Sequence, residues 1–102
     1  MRIRPGLSVD DRELAVFCRR HGIRSLAVYG SAIRGSFTAE SDVDVLVEFD
    51  SGRLPGLIRM AGMELELSAL FGGREIELRT YEDLSRYFRD KVRDTAVRLY
   101  AA

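Results

Sequence analysis

The sequence predicts one α/β domain in which strands alternate with helices. Three observations predict it. The chain has 102 residues, a length that suits a single domain spanning 1–102. Val43, Val45, Val47 and Phe49 alternate strictly with Asp42, Asp44, Leu46 and Glu48, the two-residue period of a strand with one face in a core. Leu14, Phe17, Cys18 and His21 recur at helical spacing, and so do Leu84, Phe88, Val92, Thr95 and Leu99. Helix and strand signals interleaved in this way give a layered α/β structure.

Residues 1–7 are a lead-in interrupted by Pro5-Gly6. Ser8 is the expected N-cap of a first helix over about 9–21, with Asp10 and Asp11 in the dipole-favoured first turn and Gly22 as its stop. His21, the only histidine, sits at the end of that helix as a capping or packing residue. Residues 25–29 are apolar on both parities and predict a strand covered on both faces. Residues 30–41, with two Gly and three Ser, are connection, and the strand over 43–49 follows. Asp50-Ser51-Gly52 and Pro55-Gly56 mark turns before a helix over about 57–71. That helix carries two apolar lines, Leu57/Ile58/Ala61/Leu65 and Met60/Met63/Leu67/Leu70/Phe71, more than a small core can take. Part of it is expected to meet a partner, a use to which methionine adapts well. Gly72-Gly73 stops it. Ile76 and Leu78 alternate with Glu75 and Glu77 in a third strand, and Thr80 caps a closing helix that runs to the C-terminus.

Composition excludes several classes of function. Hydrophobic residues make up 46%, which argues against disorder. Acids and bases balance at 16 each, so no global positive field exists to hold nucleic acid, and no direct nucleic-acid binding is expected. Cys18 stands alone and cannot form an internal disulfide, which suits a reducing compartment. No apolar run approaches the roughly 20 residues of a membrane span, and Met-Arg-Ile-Arg-Pro is no signal core, so a cytoplasmic protein without a membrane partner is expected. The chain has fifteen Arg against the single Lys91 and no Asn or Gln; missing amides fit a thermophilic host, where they are labile.

One strand–turn–strand unit looks built for chemistry. Asp42 and Asp44 are two apart on a strand, so they project to one face with Cα atoms about 7 Å apart. Like charges held side by side call for a cation, and a hard divalent ion with oxygen ligands is the natural one. Two such ions about 4 Å apart can be bridged by carboxylates of one strand and one from a neighbour. Glu77 offers that neighbour; Glu75 shares its parity and is the second candidate. Gly30-Ser31 ends a strand and opens a turn, where backbone N–H groups and the hydroxyl can hold a phosphate. Arg34, one turn on, could reach a phosphate or pin the loop to an acid. A Gly-Ser turn, an Asp-x-Asp strand edge or a lone Arg is commonplace taken singly; their order and close spacing are more specific.

Gly30-Ser31, Arg34-Gly35-Ser36 and Ser41-Asp42-Val43-Asp44 together resemble the signature of the polymerase-β-type nucleotidyltransferase superfamily. They are most similar to its minimal, MNT-type branch, and the resemblance covers nearly the whole chain. It implies an α+β nucleotidyltransferase fold: a small mixed, twisted sheet of at least three strands flanked by helices, with the acids on its open face. It implies ATP as substrate, two Mg²⁺ ions, and transfer of a nucleotidyl group with release of pyrophosphate. Carried over, Asp42 and Asp44 are metal ligands, and Gly30 and Ser31 hold the triphosphate. Glu77 takes the place of a third acid that is commonly Asp. Many MNT proteins are antitoxins of all-helical HEPN ribonuclease toxins, and some transfer AMP to a toxin tyrosine. The resemblance therefore implies a HEPN partner, a hetero-oligomer with it, and a docking role for residues 57–71. The alternatives are an antitoxin that inhibits by contact alone and a small-molecule nucleotidyltransferase of aminoglycoside type. Intact Gly30-Ser31 and Asp42/Asp44 favour the catalytic antitoxin over the first; the lack of a further substrate domain weighs against the second.

Overall fold

The computed structural model describes residues 1–34, 37–38 and 40–102. Two short strands, β1 (Arg2–Arg4) and β2 (Leu7–Ser8), form an antiparallel hairpin around Pro5-Gly6. Helix α1 (Asp11–Arg20) follows. The main sheet holds β3 (Ile23–Tyr29), β4 (Val43–Phe49), β5 (Ile76–Arg79) and β6 (Val97–Ala101), in the order β5-β4-β3-β6. Helix α2 (Leu57–Leu70) carries the chain from β4 to β5, and this crossover lets the two strands run parallel. The β3–β4 and β3–β6 pairings are antiparallel, so the sheet is mixed. Helix α3 (Arg89–Thr95) leads into β6.

Strand alternation decides where everything else goes. Leu26 and Val28 of β3, Val43, Val45 and Val47 of β4, and Ile76 and Leu78 of β5 are buried on one face. Against them pack Leu14, Phe17 and Cys18 of α1, and Met63, Leu67 and Phe71 at α2. Burial of each large aliphatic side chain contributes about 2 kcal/mol, which sets the layer order firmly. The opposite parity is left uncovered by helices α1 and α2: Ser25, Ala27 and Tyr29 on β3, Asp44, Leu46 and Glu48 on β4, Glu77 and Arg79 on β5. Glu64 of α2 accepts from the Leu78 N–H at 2.7 Å, holding the helix to the edge strand β5.

Four details differ from the sequence expectation. The lead-in is a hairpin whose Leu7 is buried. The cap of α1 is Asp10, not Ser8, because Ser8 is engaged in β2; the Asp10 carboxylate accepts from the Glu13 N–H at 2.9 Å. Strand β3 is buried on one face only, its small Ser25 and Ala27 lying half-buried on the open side. The closing helix does not run from Thr80 to the end. A 3₁₀ turn at Tyr81–Asp83, in which Asp83 accepts from the Thr80 N–H at 3.0 Å, and an extended Leu84 precede the short α3, and the tail turns into β6. The free edge of β3 explains this. Its unpaired backbone groups outweigh the helical spacing of Val92, Thr95 and Leu99, and the Val97-Arg98-Leu99-Tyr100 run, rich in strand-forming residues, pairs with it.

Candidate active site

The site is built where β3 ends. Gly30 follows Tyr29 with φ +73°, a left-handed conformation, and opens a 3₁₀ turn over Gly30–Ala32. Its carbonyl accepts from the N–H groups of Ile33 and Arg34, both at 3.1 Å. Glycine is required there on a second count: a Cβ would lie 2.4 Å from Asp44 Oδ2. The register explains the closeness, since Asp44 stands opposite Tyr29 across the β3–β4 ladder. On the other side of β4, Asp44 pairs with Glu77 across the parallel β4–β5 ladder. The turn, Asp44 and Glu77 thus lie in one line across three strands.

Electrostatics follow from that line. The Asp44 carboxyl is pushed up to about 6, first by burial, then by a hydrogen bond with Glu77 and the charges of Glu77 and Asp42. Arg79, two residues after Glu77 and on the same face, opposes the shift and lies 3.2 Å from Glu77 Oε1. The Tyr29 hydroxyl is also raised, by burial first and by Asp44 second, with Arg79 opposing. Tyr29 and Arg79 are site residues that motif reading missed; the alternation of Glu77 with Arg79 was the available signal.

The predicted site residues are placed as follows. Gly30, Asp44 and Glu77 come together. Asp42 precedes β4, is exposed, and is near enough for its charge to act on Asp44. Ser31 is half-buried in the turn. Arg34 is exposed, and among the described residues no ion pair engages it. Glu75 also lies exposed, outside β5. The Gly35-Ser36 part of the motif lies outside the described residues.

The turn is braced from a distance. Arg4 Nη1, reaching over from β1, donates to the carbonyls of Ala32, Arg34 and Ser31 at 3.2, 3.3 and 3.4 Å. The Phe37 ring is flanked by Arg4 at 4.8 Å and Arg74 at 4.3 Å. Arg74 Nη1 donates to the carbonyls of Thr38 and Ser41, at 3.0 and 3.3 Å. The N-terminal hairpin and the segment before β5 therefore hold both ends of the connection that carries the motif.

Whether the donors suit a divalent cation can be judged from their chemistry. Asp42, Asp44 and Glu77 offer only carboxylate oxygens, the hard donors such ions prefer. The repulsion that raises Asp44 is what a cation between the acids would relieve. Among the described residues, no three acidic, histidine or cysteine side chains converge into a ready-made cage. An open set of that kind suits an ion such as Mg²⁺, which takes one or two carboxylates and completes its shell with phosphate oxygens and water. The residues fit the group.

Beside the acids the open sheet face continues into a hollow of about 860 Å³. Leu46 and Ala27 form its floor, and Arg98, Tyr81 and Arg93 stand around it. Leu46 is two residues on from Asp44 on the same face, so the hollow adjoins the acid line.

Comparison with known proteins places this geometry in a class. The nucleotidyltransferase domain family matches residues 12–99, and the chain belongs to that family. Within it the chain is an MNT-type minimal nucleotidyltransferase. A solved minimal nucleotidyltransferase is 36% identical, covering 84% of this chain and 87% of that one, with a TM-score of 0.65. The protein adenylyltransferase MntA of Thermococcus cleftensis is 42% identical over 55 residues, 54% of each chain. A Methanocaldococcus jannaschii protein that bears a protein adenylyltransferase name is 28% identical over 86 residues, 84% of this chain and 89% of that one. A toxin–antitoxin structure with AMP-PNP shares the fold at TM-score 0.71 and 14% identity, over 92% of this chain and 75% of that chain. Among the described residues, no helix is long and apolar enough to cross a membrane.

Proposed function

We propose that this chain transfers AMP from ATP to a tyrosine hydroxyl of a cognate HEPN toxin, with Mg²⁺, and so serves as the antitoxin of the pair. The single observation that carries the reading is the line of Gly30, Asp44 and Glu77, held by the ladder register of three adjacent strands. The family membership and the toxin–antitoxin structures among its relatives support it.

In this reading Asp42 and Asp44 hold Mg²⁺, with Glu77 as third ligand. The bound ions supply charge that lets the triphosphate approach the acids and steadies the oxygens of the reacting phosphorus. The turn at Gly30-Ser31 receives the triphosphate, close because residue 30 has no side chain. Arg34, exposed at the end of the turn, would reach the phosphate tail. The acceptor comes over the open sheet face, from the hollow at Leu46 and Ala27. Its oxygen attacks the α-phosphorus, the bond to the β-phosphate oxygen breaks, and pyrophosphate leaves. Glu77, set beside Asp44 by the β4–β5 register, would take the hydroxyl proton on its carboxylate, which Arg79 meets at 3.2 Å.

The test is mass spectrometry of the cognate HEPN protein after incubation with the chain, ATP and Mg²⁺. Gain of AMP that disappears with Asp44→Asn is expected. Tight, inhibitory complex formation without any adduct would mean that the chain acts by contact, and the catalytic reading would fall.

A further inference from the structure

We propose that Arg79 is the internal counter-ion of the acid line and competes with a divalent cation for the Glu77 carboxylate. Asp42, Asp44 and Glu77 bring three carboxylates to one end of the open sheet face. Among the described residues a single ion pair engages any of them: Arg79 Nη2 lies 3.2 Å from Glu77 Oε1. Arg24, another arginine beside the hollow, is taken by Glu48, four residues along β4 from Asp44. The influence of Arg79 reaches across the sheet. Tyr29, Asp44 and Glu77 are ladder partners on β3, β4 and β5, and Arg79 opposes the rise of both the Asp44 carboxyl and the Tyr29 hydroxyl. A guanidinium stays charged in a protein, so only movement of the side chain can withdraw this compensation.

The same pairing sets Arg79 against an ion. This competition rests on the reading of Asp42, Asp44 and Glu77 as ligands for Mg²⁺, and not on the identity of the acceptor. A guanidinium and a divalent ion are both cations; on one carboxylate they repel each other and divide its charge. The ion must therefore displace Arg79 from Glu77 or bind without its third ligand. Displacement is open to this side chain. Strand β5 is the edge of the sheet, and the Arg79 side chain is 46% exposed, so no core packing holds it on Glu77. An exposed pair of this kind is weak by itself. Arg79 thus lowers the affinity for the ion without closing the site. The contrary role is a scaffold that orients Glu77 for the ion. It needs a rigid pair, and Glu77, also 46% exposed, is no more fixed than its partner. The two roles differ in sign: loss of a competitor tightens ion binding, and loss of a scaffold weakens it.

The experiment is titration of the purified chain with Mn²⁺ in the absence of nucleotide, followed by the electron paramagnetic resonance signal of the free ion. Residue 79 is exposed, so Arg79→Gln folds, and unchanged circular dichroism verifies this. Arg79→Gln is expected to bind Mn²⁺ about 10-fold more tightly than wild type, the effect of removing one positive charge from beside a doubly charged ion. Arg79→Lys keeps the charge and is expected to stay near wild type. Glu77→Gln is expected to weaken binding, and on that background Arg79→Gln should change it by less than about 2-fold, because the carboxylate in contention is gone. Binding that Arg79→Gln leaves unchanged or weakens would overturn the proposal. So would a tightening of equal size with and without Glu77, which would make Arg79 a distant charge only. Asp44→Asn separates the two levels of the account. Mn²⁺ binding that survives Asp44→Asn, or no binding by any of these chains, would refute the ligand assignment and the competition with it. Binding lost with Asp44→Asn but indifferent to Arg79→Gln would overturn the competition alone.

Discussion

Replacing Asp44 by Asn should stabilise the ligand-free protein at neutral pH while abolishing its chemistry. Folding raises this carboxyl from 3.8 to about 6. The folded state therefore holds the Asp44 proton more tightly than the unfolded chain. The stability this contributes is fully present below about pH 3.8 and is lost as pH rises through about 6. A difference of about two pH units corresponds to about 3 kcal/mol at 1.36 kcal/mol per unit. Asp44 is partly open to solvent, and screening reduces that to about 1–2 kcal/mol. Asn cannot ionise and can still donate to Glu77. In a domain of this size each 1 kcal/mol moves the melting temperature by about 4–8 °C. The assay is thermal unfolding of both proteins from pH 4 to 7 without divalent cations. The melting temperatures should nearly coincide at pH 4 and separate by about 5 °C or more at pH 7, with the variant higher. A gap independent of pH, or a variant that melts lower at pH 7, would refute the reasoning about the acid pair.

Other substitutions test other parts of the account. Gly30→Ala forces a side chain into a left-handed conformation and against Asp44 Oδ2; it should cost about 1–3 kcal/mol by chemical denaturation and remove ATP turnover. Arg4→Ala removes the donor shared by three turn carbonyls; a loss of about 1 kcal/mol is expected, with weaker Mg²⁺–ATP binding by calorimetry. Leu67→Ala empties a fully buried position between α2 and the sheet and should cost about 2–5 kcal/mol in the same denaturant assay.

Much of the site was legible because its determinants are local. The alternation of Val43, Val45 and Val47 places Asp44 on the open face, and the apolar parity of Ile76 and Leu78 puts Glu77 there as well. Gly30-Ser31 marks the turn because no other residue tolerates that backbone so near a carboxylate. What stayed hidden is set by long-range contact. Strand β6 exists because β3 has a free edge, which no periodicity in the last ten residues announces. Arg4 reaches the turn from 27 residues away, and Phe37 lies between Arg4 and Arg74 only once the hairpin has docked. The double-faced character of α2 was visible in its two apolar lines. Which line is core follows only from the layer arrangement, which buries Met63 and Leu67 and leaves Ile58 and Leu65 outside.

The central claim is that the line of Gly30, Asp44 and Glu77 directs AMP, and not phosphate, to a partner's tyrosine. ATP labelled separately at the α- and γ-phosphates, incubated with the chain, Mg²⁺ and the HEPN protein, tests it most directly. Label from the α position should appear on a single tyrosine-containing peptide of the partner and vanish with Asp44→Asn, although the complex still forms. Transfer of the γ label, or α label that survives Asp44→Asn, would contradict the account.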